Sequence, residues 1–107
     1  MNIDKARALV AQRSSGLCEM CRRAEATDWH HRKNRSQGGE WTPSNGLHLC
    51  RNCHRVVTEQ PYAARRWGWA VPRSSDPVLV PVRLLHLGWV YLDDQGGYQQ
   101  EVPCPEP

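Results

Sequence analysis

The sequence predicts a small α+β fold stapled by zinc, with an N-terminal helix ahead of the metal core and a short β-rich tail behind it. Three observations carry that prediction. Two Cys-x-x-Cys pairs, Cys18/Cys21 and Cys50/Cys53, offer four thiolates from two tight segments. Apolar residues at helical spacing (Ile3, Ala6, Leu9/Val10) open the chain. Short runs rich in Val, Leu, Trp and Tyr, broken by Pro, Gly and Asp, fill its last third.

Taken in order, Asn2 to Arg13 reads as an amphipathic helix ended by Ser14-Ser15-Gly16. Cys18 to Cys21 forms a tight knuckle, and Thr27 to Arg32 is a candidate strand. Asn34 to Asn45 is a polar loop carrying Gly38-Gly39 and Pro43. From Ser44 or Asn45 a cap followed by Leu47, Leu49/Cys50, Cys53/His54 and Val57 predicts a helix that Pro61 should stop. Tyr62 to Trp69 adds a helical turn, and Trp67-Gly68-Trp69 through Pro77 reads as a linker. Val78–Val80, Arg83–Leu87, Trp89–Leu92 and Tyr98–Val102 are expected strands, the last two joined at Asp93–Gly97, and Pro103–Pro107 should fray. The expected organisation is a core with its helix over 1–60, a turn and linker over 61–73, and a β-rich extension over 74–107.

At 107 residues, with eight glycines, eight prolines and no phenylalanine, the chain has little core material, and a structural metal would offset that shortage. No segment is apolar enough for a signal peptide or a membrane span, so a cytoplasmic location is expected. There the paired cysteines would stay reduced and bind metal rather than form disulfides. Four protein thiolates fill a tetrahedral zinc shell and leave no position for substrate, so the zinc would be structural. Cys₄ also suits iron, but the second pair here runs into a helix instead of a matching knuckle. Cys104 reads as a spare thiol.

Charge is unevenly distributed. Through Arg73 there are 13 Lys or Arg against 6 Asp or Glu, whereas the remainder has Arg83 alone against five acids. Twelve of the basic residues are Arg, which suits bidentate contact with phosphate and points to a polyanionic partner. Trp67 and Trp69 could stack on bases, although packing is the favoured role. His48 and His86 are read as packing or surface residues.

Between the cysteine pairs lie His30-His31, Gly38-Gly39 and Asn45, and Cys53 runs directly into His54. This interleaving, from Leu17 to Val57, resembles the HNH endonucleases. The resemblance implies a ββα-metal, treble-clef-like core in which a hairpin packs on a helix around one divalent ion. It implies a metal-dependent endonuclease or nickase that hydrolyses DNA phosphodiester bonds to 5′-phosphate and 3′-hydroxyl ends. His31 would be the general base, His30 and His54 would hold the catalytic ion, and Asn45 would brace the loop carrying His31 or sit near the metal. Arg32, Lys33, Arg35, Arg51 and Arg55 would grip phosphates. Many family members have Asp where this chain has His30. A nitrogen ligand there favours Mn²⁺, Ni²⁺ or Zn²⁺, whereas Mg²⁺ prefers oxygen, so the catalytic ion is one of these four. Similar small proteins are commonly bacteriophage-encoded, which implies double-stranded DNA as substrate, a phage terminase as partner and the host cytoplasm as location. The competing reading is a non-catalytic zinc-stapled nucleic-acid-binding module, and a third is a protein-recruiting adaptor built on the acidic tail. Neither needs His30, His31, Asn45 and His54 together.

Overall fold

The computed structural model describes residues 2–101; Cys104, the end of the last expected strand and the fraying tail lie outside them. Helix α1 (Ile3–Ser14) begins where the Asn2 side chain accepts a hydrogen bond from the Lys5 N–H at 2.7 Å. It ends where Ser15 and Gly16 adopt left-handed backbone, φ 56° and 78°. Its Ala6 and Val10 are buried, and Arg13 turns inward to an ion pair with Glu19. The knuckle Cys18–Cys21 follows, bracketed by the Leu17–Glu25 bridge, with Arg22 in left-handed backbone.

Strands β1 (Asp28–His31) and β2 (Gly46–Leu49) form an antiparallel hairpin in the register Asp28 with Leu49, Trp29 with His48, His30 with Leu47 and His31 with Gly46. Because side chains alternate, Asp28 and His30 share one face with Leu47 and Leu49, while Trp29, His31 and His48 occupy the other. Gly46 lets the Trp29 indole lie across the hairpin, since a Cβ there would fall 2.2 Å from that ring. The segment from Gly46 to Leu49 is thus a strand, not the start of a helix as its spacing suggested. Helix α2 (Arg51–Glu59) starts only after Cys50, whose Sγ caps it by accepting the Cys53 N–H.

Helix α3 (Pro61–Arg66) follows with Pro61 at its first turn. The stretch beyond it is packed structure rather than a loose linker. The Gly68 and Trp69 carbonyls accept hydrogen bonds from Arg32 and His30, and the Val71 N–H donates to the Arg32 carbonyl. Val78–Val80, expected as a strand, lies in and after a 3₁₀ turn (Pro77–Leu79) that Asp76 caps. Strands β3 (Val82–Leu84), β4 (Gly88–Leu92) and β5 (Tyr98–Gln99) make a second antiparallel sheet in that order. The inward residues Val82, Leu84, Val90 and Leu92 join Leu47, Leu49, Cys50, Cys53 and Val57 in one buried cluster.

Candidate metal and cleavage site

The knuckle and the first turn of α2 bring Cys18, Cys21, Cys50 and Cys53 together, with all four Sγ atoms within 4.8 Å of one another. That spread, the absence of disulfides among the described cysteines and the closed Cys₄ donor set fit a tetrahedral zinc ion. The backbone N–H of Arg23, donated to Cys21 Sγ at 3.4 Å, holds that thiol down at about 7. Burial pushes the Cys18 thiol up. Glu19, inside the knuckle, is fully buried and accepts from Arg13, the His48 N–H and the Tyr98 hydroxyl, fastening the knuckle to α1, β2 and β5.

A cleft of about 510 Å³ opens on the α2 side of the hairpin, with His30, His31, His54, Arg35 and Arg65 on its walls. His30 from β1 and His54 from α2 meet there, ring centroids 5.3 Å apart. Each imidazole has one nitrogen committed to a protein acceptor. His30 Nε2 bonds to the Trp69 carbonyl at 2.7 Å, and His54 Nδ1 bonds to Asp28 Oδ2 at 2.9 Å. A carbonyl and a carboxylate only accept, so both bonded nitrogens carry hydrogen, and His30 Nδ1 and His54 Nε2 are the ring nitrogens left for another partner. Burial lowers the His30 pKa to about 4, which keeps the ring neutral. An imidazole with its second nitrogen anchored is the kind of donor a divalent ion takes, so these two residues fit the ion the sequence implied.

His31, on the other face of β1, reaches the cleft from the strand end. Its ring stands edge-on to Trp41, centroids 4.5 Å apart, and is also flanked by Trp29 at 6.1 Å. Its Nε2 is buried without a protein partner. Burial, with Arg35 nearby, lowers its pKa and favours the neutral ring.

Asn45 is buried, and its whole amide is spent on backbone. Oδ1 accepts the Lys33 N–H at 2.7 Å, and Nδ2 donates to the Lys33 and Glu40 carbonyls. It therefore clamps both ends of the loop that follows His31. Gly39 closes that loop, since a Cβ there would lie 1.7 Å from the Lys33 carbonyl oxygen.

The phosphate-gripping arginines need one correction. Arg32 is 1% exposed, and its guanidinium donates to the carbonyls of Gly68, Ser44, Pro77 and Val80. A fork spent on four carbonyls inside the protein cannot hold DNA. Lys33 lies away from the histidine cleft, while Arg51 and Arg55 are exposed residues of α2, bonded to Asp28 and Asn52 respectively. Arg35 is the expected cation that is both exposed and in the cleft, and Arg65 of α3 joins it unannounced. His48 contacts Ser14 of α1 and takes no part in the cleft. Trp69 donates to the Arg83 carbonyl, and Trp67 stacks on Trp89. Asp28 was also passed over, although period-two alternation places it on the face of His30.

Residues 18–60 match the family model of the HNH endonucleases. Comparison with curated proteins and with solved structures found no match. The cysteine cluster, the hairpin and α2 all fall within the matched segment.

Proposed function

We propose that this protein is a divalent-metal-dependent endonuclease that hydrolyses phosphodiester bonds of double-stranded DNA to 5′-phosphate and 3′-hydroxyl ends. The observation that carries the reading is the convergence of His30, His31 and His54 on one cleft, two of them with the distal nitrogen anchored. His30 Nδ1 and His54 Nε2 would hold the ion. When bound, it would supply Lewis-acid assistance to the phosphate and the leaving oxygen. His31 takes the proton of the attacking water, its ring held neutral by burial and fixed in place by Trp41. Asn45 keeps the loop after His31 in one conformation by closing Lys33 against Glu40. Arg35 and Arg65 lie at the cleft where a phosphodiester must enter.

Cleavage of supercoiled plasmid across a panel of Mg²⁺, Mn²⁺, Ni²⁺ and Zn²⁺ tests the reading. Wild type should cut with at least one ion, and His31→Ala should lose roughly 10²–10⁴-fold in rate, the usual worth of a positioned base. Equal rates for the two proteins would leave a zinc-stapled module that binds nucleic acid without cutting it.

A further inference from the structure

We infer that Asp28 is a positioning residue for the catalytic ion: its carboxylate fixes the tautomer and ring orientation of His54 so that Nε2, not Nδ1, faces His30. The inference rests on the metal-site reading above and adds to it a residue outside the HNH letters.

Asp28 and His30 project from the same face of β1, two residues apart, toward α2. Asp28 Oδ2 receives His54 Nδ1 at 2.9 Å, and the same oxygen receives Arg51 Nε at 2.9 Å. The two contacts differ in kind. Arg51 is 83% exposed and free to leave, whereas the His54 ring is held between Asp28 and His30. An isolated imidazole divides its proton between both nitrogens and rotates about its side-chain bonds. A carboxylate on one nitrogen ends both freedoms and makes the other a stronger donor. His30 is anchored in the same way by the Trp69 carbonyl, so each ring keeps one nitrogen free of a protein partner. Asp28 acts through His54: its Oδ2 is taken up by His54 Nδ1 and Arg51 Nε.

The experiment uses the full chain carrying its Cys₄ zinc, as wild type, Asp28→Ala, Asp28→Asn and His54→Ala. Long-range ¹H–¹⁵N NMR reads the His54 tautomer with no second ion added, and calorimetric titration with Mn²⁺ reads affinity. Wild type should show hydrogen on His54 Nδ1. Asp28→Ala should mix the tautomers and weaken Mn²⁺ binding about 10–100-fold, with its thermal midpoint close to wild type. Asp28→Asn, whose amide oxygen still accepts from Nδ1, should restore the tautomer and part of the affinity. A His54 ring protonated on Nε2 in wild type, or unchanged tautomer and affinity in Asp28→Ala, would overturn the inference. If wild type and His54→Ala took up Mn²⁺ equally, the metal-site reading would fall instead, while the NMR signal would still decide whether Asp28 sets the ring.

Discussion

Arg32 and Arg35 stand three positions apart and do opposite things with the same side chain. Arg32 carries its charge into the interior and distributes it over four carbonyls from three separate segments. Removing it strands those acceptors, each costing about 1–3 kcal/mol when left without a partner. We expect Arg32→Ala to destabilise the fold by more than about 3 kcal/mol in urea unfolding. Arg35 and Arg65 are exposed at the cleft and should act through counterion release. Arg35→Ala and Arg65→Ala should each lower the slope of log affinity for DNA against log salt by about 1, with stability nearly unchanged. A salt slope unaffected by either substitution would remove the cleft from the DNA path. The sequence could not separate these arginines, because composition and charge say that a guanidinium exists but not which way its chain turns. Asp28 was hidden for a related reason: an acid before a histidine pair belongs to no motif, and its meaning appears only when α2 lays His54 against it.

Hairpins and helix ends set the next level. The segment Leu47-His48-Leu49-Cys50 satisfies both a helical and an alternating pattern over so short a run, and pairing with β1 decides for the strand. What was legible was the order of strand, loop, cysteine pair and helix, since cysteine spacing is a local property. The expected cap at Ser44 or Asn45 lay a strand too early, and the cap falls at Cys50. The β4–β5 turn was also legible from Asp93-Asp94-Gln95-Gly96-Gly97, and its hydrogen bonds give a pH prediction. Partial burial works against an ionised Asp93, but the Gln99 amide at 2.6 Å and the N–H groups of Gly97 and Gln95 outweigh it and lower its pKa. A carboxylate with a depressed folded pKa adds stability that is complete above its unfolded value of about 3.9 and is lost as pH falls through the folded one. Asp93→Asn should therefore cost about 1 kcal/mol near neutral pH, and the gap to wild type should narrow below about pH 4. Urea midpoints of both proteins from pH 7 to pH 3 check this. A gap constant with pH would mean that the ionised form contributes nothing.

At the scale of the whole molecule, the cysteine cluster and the C-terminal sheet share one interior. Cys50 and Cys53 lie in the same buried cluster as Val82, Leu84, Val90 and Leu92, with Ala64 of α3 between the two elements in sequence. Tyr98 of β5 reaches back to Glu19 inside the cysteine knuckle, and Asp94 accepts the Ser44 N–H beside the hairpin. The strand-rich character of the tail could be read from its residues, but its attachment could not, because the contacts join positions up to 79 residues apart. That connectivity fixes what losing the metal should do. Structural zinc in small domains is worth about 10–16 kcal/mol at neutral pH, as much as or more than the 5–15 kcal/mol by which a whole domain is usually stable. A chelator strong enough to strip a Cys₄ site should thus unfold the chain at 25 °C. It should also release the β3–β5 amides to hydrogen exchange together with those of β1 and β2, in one transition. Re-addition of Zn²⁺ under reducing conditions should restore both. Protection persisting in Val82–Leu92 after the metal is gone would show that the second sheet holds itself together, and that its shared core with the cysteines is contact without cooperativity.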